Sequence, residues 1–206
     1  DWLQVPAEVT TYWCVIVRLP EAVLKRKHHI TWLWNNVTEG NENLVHHIML
    51  FHCPTGDQQE FAGNCNDPAK PPQAKACSKV LAAAAKGQWP TKYPLEVGMP
   101  MGGPGYNPYV MIEMHYDNPA KMEGVIDSSG YDIVLTPNLR PNDAAVIEIG
   151  QIYGDANSIP PHQPHFEMSG YCTADCTAKF PEEGINVFVS QLHAHLAIRK
   201  ISSALY

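Results

Sequence analysis

The sequence predicts an all-β fold of the sandwich or jelly-roll type. Apolar and polar residues alternate over several short runs, and clusters rich in glycine and proline separate these runs. The chain holds 18 prolines in 206 residues, a density that interrupts helices and favours short strands joined by turns. A hydrophobic fraction of 45% with 17% charged residues is enough to bury a substantial core.

Individual elements follow from the same patterns. Strands are predicted over six runs: 10–19, 44–53, 109–117, 129–136, 144–153 and 185–201. The run "ACSKVLAAAAKG" at 76–87 is predicted to be a helix because it is rich in alanine and closes at Gly87. A slight change of composition near 139–143 suggests a boundary, which divides the chain into domains at 1–141 and 142–206.

Charge and hydropathy exclude several classes of partner. The formal net charge of −7 argues against nucleic acid and against an anionic membrane surface. No apolar run reaches the length of about 18 residues that a transmembrane helix requires, so none is expected. The chain begins "DWLQVP", without Met and without a signal-like segment, which is typical of a mature or trimmed chain.

Cysteine usage indicates disulfides more than a zinc cage. The six cysteines stand at irregular spacings without a CxxC pair, at positions 14, 53, 65, 77, 172 and 176. Asn36–Thr38 forms an N-glycosylation sequon, a triplet that also arises by chance. Together these features favour secretion or the lumen of a secretory vesicle.

Two segments place histidines at strand spacing. In "SQLHAHLAI" (190–198), Gln191, His193 and His195 share one strand face, with successive side chains about 7 Å apart. The two histidines are interpreted either as metal ligands or as surface residues. In "MIEMHYD" (111–117), His115 stands on one face with two carboxylates, which fits either a metal ligand or a charged surface patch.

Two histidine doublets lead to different interpretations. His46 and His47 lie in an apolar run, and neighbours on a regular strand point to opposite faces. Both can therefore bind one ion only if the strand bends or if the rings reach round through Nδ1. Hydrogen bonding in the core is the alternative role. His28 and His29 follow three cationic residues in a segment predicted to be exposed, so they are not expected to be ligands. Sites rich in imidazole suit copper or zinc. The sequence contains no HExxH motif, so a zinc protease is not indicated.

Several motifs together resemble one enzyme family. "LVHHIMLFHC", "EMHYDNP", "GYCTADC" and "SQLHAHLAIRK" occur in this order, with "YWC" near the start and "GGPG" at 102–105. This ordered set resembles the copper type II, ascorbate-dependent monooxygenases, in particular the branch with the dopamine and tyramine β-hydroxylases. The resemblance runs through nearly all 206 residues and implies two antiparallel jelly-roll sandwiches, the second only partly present.

The resemblance also implies a set of site residues. His46, His47 and His115 match the ligands of the electron-transfer copper (CuH), and His193 with His195 matches two ligands of the oxygen-binding copper (CuM). The family function would be hydroxylation of an activated C–H bond of a small arylamine such as a phenylethylamine. It would use two coppers, O2, and ascorbate as the reductant. The resemblance pairs Cys14 with Cys65 and Cys53 with Cys77.

Two residues bear on the expected substrate. Gln191 stands where the peptide-hydroxylating branch has an arginine that pairs with a substrate carboxylate, and Glu113 resembles the amine-hydroxylating branch. These two matches favour a small amine over a glycine-ended peptide.

The sequence departs from the family pattern near its end. None of the seven methionines follows His195, although the family binds CuM with a later methionine, and the family partners of Cys172 and Cys176 also lie further along. We therefore expect an incomplete core that binds copper at the first site and does not hydroxylate an amine by itself. The alternative is a non-catalytic copper-binding or extracellular interaction module, and a zinc hydrolase is a weaker third reading. Whether the chain forms an oligomer is left open.

Overall fold

The structure is a computed structural model that describes residues 2–55, 57–85, 87, 90–151, 157–194 and 198–204. The chain separates into two compact units, residues 1–146 and 147–206. The predicted domain boundary at 141 and 142 stays a prediction.

The first unit consists of short strands joined by turns. Its strands are β1 (Leu3–Gln4), β2 (Thr10–Arg18), β3 (Lys27–Asn36), β4 (Val45–His52), β5 (Phe61–Asn64), β6 (Lys79–Ala85), β7 (Thr91–Lys92), β8 (Val97–Gly102), β9 (Tyr109–Asp117), β10 (Ile126–Asp127), β11 (Gly130–Thr136) and β12 (Asn142–Asp143). The helical pieces are a single turn, α1 (Glu21–Leu24), and a 3-10 turn at Pro72–Ala76.

These strands form two five-stranded sheets and a small ribbon. The first sheet has the order β11-β3-β8-β12, with β7 also paired to β3, and the second has the order β5-β2-β9-β4-β6. The ribbon joins β1 to β10. Among the described residues the strands pair antiparallel, except that β12 runs parallel to β8.

The two sheets enclose a shared apolar core. One buried cluster takes Ile30 and Leu33 from the first sheet and Leu50 and Val110 from the second. A second cluster, around Ile48 and Met114, extends this core toward the ribbon. Alternation sends every second side chain of a strand into such a layer, which is the packing of a β-sandwich. The predicted all-β sandwich class is confirmed.

The predicted helix at 76–87 is wrong. The 3-10 turn ends at Ala76, and Lys79–Ala85 forms β6, which pairs antiparallel with His47–His52 of β4. Leu81, Ala82 and Ala84 are buried there. Alanine has a high helix propensity, but an edge of β4 that offers unpaired backbone groups outweighs a preference worth a fraction of a kcal/mol per residue.

Two predicted strands do not form in the described residues. Residues 144–151 have no strand after β12, and 152–153 lie outside the described part. Residues 185–194 and 198–201 have none either, whereas 195–197 are outside it. In this second unit Val187 is 74% exposed and Val189 is 54% exposed. No strand of the described residues pairs with this run, and an unpaired strand is not stable alone. Among its described residues, the second unit contains the short helix α2 (Ala174–Thr177).

The disulfide pairing implied by the resemblance is confirmed. Cys14 is bonded to Cys65 and Cys53 to Cys77, with Cα–Cα distances of 5.0 and 3.7 Å. All four cysteines belong to one buried cluster with Ile16 and Met111, so the bridges tie the loops around β5 to the second sheet. Cys172 and Cys176 are free thiols.

Within the part of the chain that the structure describes, no helix has the length and apolar character needed to span a bilayer.

Candidate metal centre

Three histidines meet on the outer face of the second sheet, where β4 pairs with β9. Val45 lies opposite Tyr116 and His47 opposite His115, so the pairing register shifts by one residue and His46 is the extra residue of a β-bulge. A bulge turns the strand locally and allows neighbouring side chains to approach the same side. This is the bend that a shared ion requires of the doublet.

The ring nitrogens of the three histidines are close together. His46 Nδ1 lies 3.1 Å from His47 Nδ1, and His47 Nδ1 lies 3.3 Å from His115 Nδ1. One ligand atom from each ring falls within 4.8 Å of the other two. His46 is exposed and the other two are half-buried, so solvent reaches one side of the group. We call His46, His47 and His115 the histidine cluster.

The cluster has the dimensions of a metal site. A metal–imidazole bond is about 2 Å long, so three nitrogens around one ion in a plane stand about 3.5 Å apart. The Nδ1 separations of 3.1 and 3.3 Å agree with that spacing. Imidazole nitrogens with no carboxylate in the group suit copper or zinc better than calcium or magnesium. The residues present therefore fit a copper ion.

An aromatic ring supports the third histidine. Tyr12 lies directly opposite His115 in the pairing of β2 with β9. The two rings stack with centroids 4.4 Å apart and an angle of 11° between their planes. Stacking fixes the plane of the imidazole and thus the direction of its nitrogens. Tyr12 was not singled out from the sequence. The available signal was strand alternation, which places Tyr12 on the same face of β2 as Cys14.

A buried carboxylate organises the two segments that carry the cluster. Asp127 accepts hydrogen bonds from Asn41 Nδ2 at 2.7 Å, from Tyr116 OH at 2.9 Å and from Ser129 Oγ at 2.7 Å. Asn41 closes the turn that leads into β4, because the backbone N–H of Val45 donates to its carbonyl. Tyr116 directly follows His115. Asp127 was also missed, and no local pattern around it signals the role.

Glu113 lies on the same face of β9 as His115. Its carboxylate is near the sulfurs of Cys14 and Cys65, but these are bonded to each other and offer no thiolate to a metal. Burial raises the pKa of Glu113, and the positive charge of Lys70 partly opposes this shift. The predicted place of Glu113 near a substrate stays a prediction.

The first histidine doublet is buried, so the expectation that its segment is exposed is wrong. His28 is 8% exposed and His29 is fully buried on β3. His29 Nε2–H donates to Asp143 Oδ1 at 2.8 Å, and its Nδ1 accepts from the backbone N–H of Arg140 at 3.0 Å. The three cationic residues at 25–27 do not keep β3 in solvent, because Ile30 and Leu33 of this strand enter the core.

His52 is a further buried histidine of β4. Its Nε2–H donates to the carbonyl oxygen of Asn107 at 3.0 Å, and its ring stacks on Tyr106 with centroids 4.0 Å apart. Burial lowers the pKa of His52. His52 is therefore a core residue and not part of the histidine cluster.

The residues predicted for the second copper belong to the second unit. His193 and Gln191 are exposed and lie in irregular backbone, and His195 falls outside the described residues. Their predicted roles therefore stay predictions. Asn36, the residue of the sequon, is the last residue of β3 and is exposed.

Comparison with known proteins gives two family matches. The profile of the N-terminal domain of copper type II ascorbate-dependent monooxygenases matches residues 1–123. The profile of the C-terminal domain of the same enzymes matches residues 142–206.

Named relatives agree with these matches. A tyramine beta-hydroxylase of Caenorhabditis briggsae is 48% identical over 202 residues, which is 98% of this chain and 34% of that protein. The dopamine beta-hydroxylases of Equus caballus and Homo sapiens are each 43% identical, over 98% of this chain and 33% of their own length. The chain thus spans about one third of the length of these curated relatives.

Proposed function

The chain belongs to the copper type II, ascorbate-dependent monooxygenase family, and from this premise we propose that it binds copper at the histidine cluster as part of an amine hydroxylase. The reaction would insert one oxygen atom of O2 into an activated C–H bond of a small arylamine, with ascorbate as the reductant. A phenylethylamine is the model substrate.

One observation carries the proposal. Three imidazoles from two strands converge because a bulge places His46 and His47 on the same side as His115. Histidines on an ordinary sheet surface have no reason to interrupt the register, since a bulge leaves backbone groups unpaired. A strand that bends to bring a ring nitrogen of His46 and one of His115 to within 3.3 Å of His47 Nδ1 supports a site selected for an ion.

The protein residues around this site have separate tasks. Each imidazole must be neutral to offer a lone pair, so binding displaces any proton shared among the nitrogens. The ring of Tyr12 holds His115 in plane, and Asp127 fixes the backbone on both sides of the cluster. Copper bound there would supply one-electron chemistry, since it alternates between Cu(I) and Cu(II). Exposed His46 leaves the site open to a small reductant.

The substrate class follows from residue type and from the relatives. A neutral Gln191 offers no positive charge to a substrate carboxylate, so it disfavours a peptide that ends in glycine. The relatives named above are tyramine and dopamine hydroxylases, which supports a small amine. We propose His193 and His195 as ligands of the second copper and a secretory location for the protein, in agreement with its two disulfides.

The metal site is tested by copper titration of the chain and of His115→Ala. Loss of one of three ligands should weaken binding by more than about 100-fold, beyond the 10–100-fold effect typical of residues outside the ligand set. His165→Ala is the matched control, because His165 is exposed in the second unit and far from the cluster in sequence. Equal affinity of His115→Ala and the control would refute the site.

Substrate choice is tested at Gln191. Because the incomplete core is not expected to hydroxylate an amine by itself, the assay uses this chain fused to the remainder of the second domain of the Caenorhabditis briggsae relative. Oxygen-dependent product is measured with a phenylethylamine and with a peptide that ends in glycine, in the presence of copper and ascorbate. The proposal expects Gln191→Arg to gain activity on the peptide, because the new guanidinium pairs with its carboxylate. Copper binding without product from either substrate would instead favour the alternative of a non-catalytic copper-binding module.

A further inference from the structure

Two tryptophans form an aromatic pair on the outer face of the first sheet. Trp32 and Trp34 alternate along β3 with buried Leu33, so both side chains point away from the core. Their ring centroids are 4.9 Å apart, and Trp32 remains 40% exposed. An exposed indole ring beside a half-buried one on a sheet face is typical of a surface that contacts a ligand.

The glycosylation sequon begins on the same face of the same strand. Asn36 follows Trp34 by two residues, and Thr38 completes the sequon. Residues i and i+2 of a strand share a face and stand about 7 Å apart, so Asn36 is the neighbour of Trp34 on this face. Asn36 Nδ2 donates to Asp132 Oδ2 at 2.9 Å, which uses one of its two hydrogens.

The space beside Asn36 is open. Its cross-strand partner on β11 is Gly130, which has no side chain on that face. A β-carbon built at Gly130 would find no atom within 4 Å. Polar groups flank the aromatic pair, since Asp132 lies opposite Trp34 and Lys92 lies opposite Trp32. Aromatic rings bordered by hydrogen-bonding groups match a sugar, which has apolar C–H faces and polar edges.

We propose that Asn36 carries an N-linked glycan whose first sugar packs on Trp34, with Trp32 extending the contact toward the second sugar. The C–H groups of a pyranose face carry slight positive charge and are attracted to the negative face of an indole ring. The contact also removes apolar aromatic surface from water.

The attachment is an ordinary group transfer. Asn36 Nδ2 loses one proton and forms a bond to C1 of the sugar, while the bond between C1 and a phosphate oxygen of a polyprenyl-diphosphate-linked oligosaccharide breaks. The polyprenyl diphosphate leaves with its electron pair. The second hydrogen of Nδ2 stays, so the hydrogen bond to Asp132 is preserved. The reaction belongs to the secretory route, with which the two disulfides agree.

The first experiment measures occupancy. The chain is secreted from a eukaryotic host, and its intact mass is compared with that of Asn36→Gln. Thr38→Ser is the matched control because it keeps the sequon. The proposal expects a glycan mass on the parent and on Thr38→Ser and none at this site in Asn36→Gln. A secreted parent with no glycan on Asn36 overturns the proposal.

The second experiment tests contact between the glycan and the ring. Melting temperatures are measured for the parent, Asn36→Gln, Trp34→Thr and the double variant. Loss of the glycan should lower the melting temperature by about 2–4 °C when Trp34 is present, and by much less when threonine replaces it. Trp34→Phe should keep part of the difference. An equal decrease in both backgrounds refutes the contact.

A third measurement does not depend on the folding of any Trp34 variant. Acrylamide quenching of tryptophan fluorescence is compared between the parent and Asn36→Gln. A sugar lying on the pair should reduce quenching in the glycosylated parent. Equal quenching of the glycosylated parent and of Asn36→Gln would show that the glycan leaves the rings uncovered, which also overturns the proposal.

Discussion

At the scale of single residues, Asp127 organises the two segments that carry the histidine cluster without belonging to the cluster. Its Oδ1 accepts from Asn41 and Ser129, and its Oδ2 accepts from Tyr116 and from the backbone of Ser129. Each oxygen therefore receives two donors, which satisfies a carboxylate that is only 2% exposed. One side chain thus fixes the entry to β4 and the end of β9.

Asp127→Asn should destabilise the fold and loosen the metal site. One carboxylate oxygen becomes an amide that faces two donors, so two hydrogen bonds to a charged group are lost, at a cost of about 3 kcal/mol. Copper affinity should fall by about tenfold, as for other residues that position ligands. Urea unfolding and copper titration measure both effects. Asp117→Asn is the control, since Asp117 is exposed, and an equal effect there would contradict the prediction.

The carboxyl group of Asp127 should also make the stability of the fold sensitive to acid. Burial raises the pKa of its carboxyl group, but hydrogen bonds from Asn41, Ser129 and Tyr116 outweigh burial and hold the pKa below its ordinary value. A depressed pKa in the folded state stabilises the protein above the unfolded pKa of about 3.9, and this stabilisation is lost as the pH falls further. The stability difference between the parent and Asp127→Asn should therefore shrink from pH 7 to pH 3. An unchanged difference would contradict the assignment.

At the scale of elements, the bulge in β4 and the two disulfides shape the outer face of the second sheet. The bulge places the doublet beside His115, and the bridges anchor the long connections around β5, which bury little apolar surface beyond the cysteine cluster. Cys14–Cys65 closes a separation of 51 residues and Cys53–Cys77 one of 24.

Removal of either bridge should lower stability by several kcal/mol. Chain entropy alone gives about 4 kcal/mol for Cys14→Ala with Cys65→Ala and about 3.5 kcal/mol for Cys53→Ala with Cys77→Ala. Urea unfolding of each double variant measures the loss. Cys172→Ser with Cys176→Ser is the control, because these thiols form no bridge. A similar loss in the control would show that the effect comes from cysteine replacement and not from the bridges.

At the scale of the whole molecule, the histidine cluster and both sheets lie within residues 1–146. A ligand that binds only the folded state stabilises that state, by about 2.7 kcal/mol when its free concentration is 100 times the dissociation constant. Copper should therefore stabilise the first unit, to which all three proposed ligands belong.

Addition of copper at that concentration should raise the melting temperature of the transition of residues 1–146 by about 5–10 °C. A chelator should reverse the increase. His47→Ala should show no increase, because it retains two ligands at most. Calorimetry of the chain with and without copper measures the transition, and an increase that persists in His47→Ala would place the ion elsewhere.

The sequence by itself determined the β class and much of the second sheet. Alternation and apolar runs located β2, β4 and β9, and the ordered motifs indicated the family, the three histidines of the cluster and the disulfide pairing. These features are readable because side-chain period and residue order are local properties of the chain.

Tertiary structure decided what depends on a distant partner. The alanine-rich run became β6 because β4 offered it a pairing edge, and the run at 185–194 found no such edge among the described residues. His29 became buried through Asp143 and Arg140, more than a hundred residues away. The bulge at His46 and the contacts of Asp127 likewise depend on strand register. Pairing energy across long loops exceeds local propensity, so only the folded chain could settle these points.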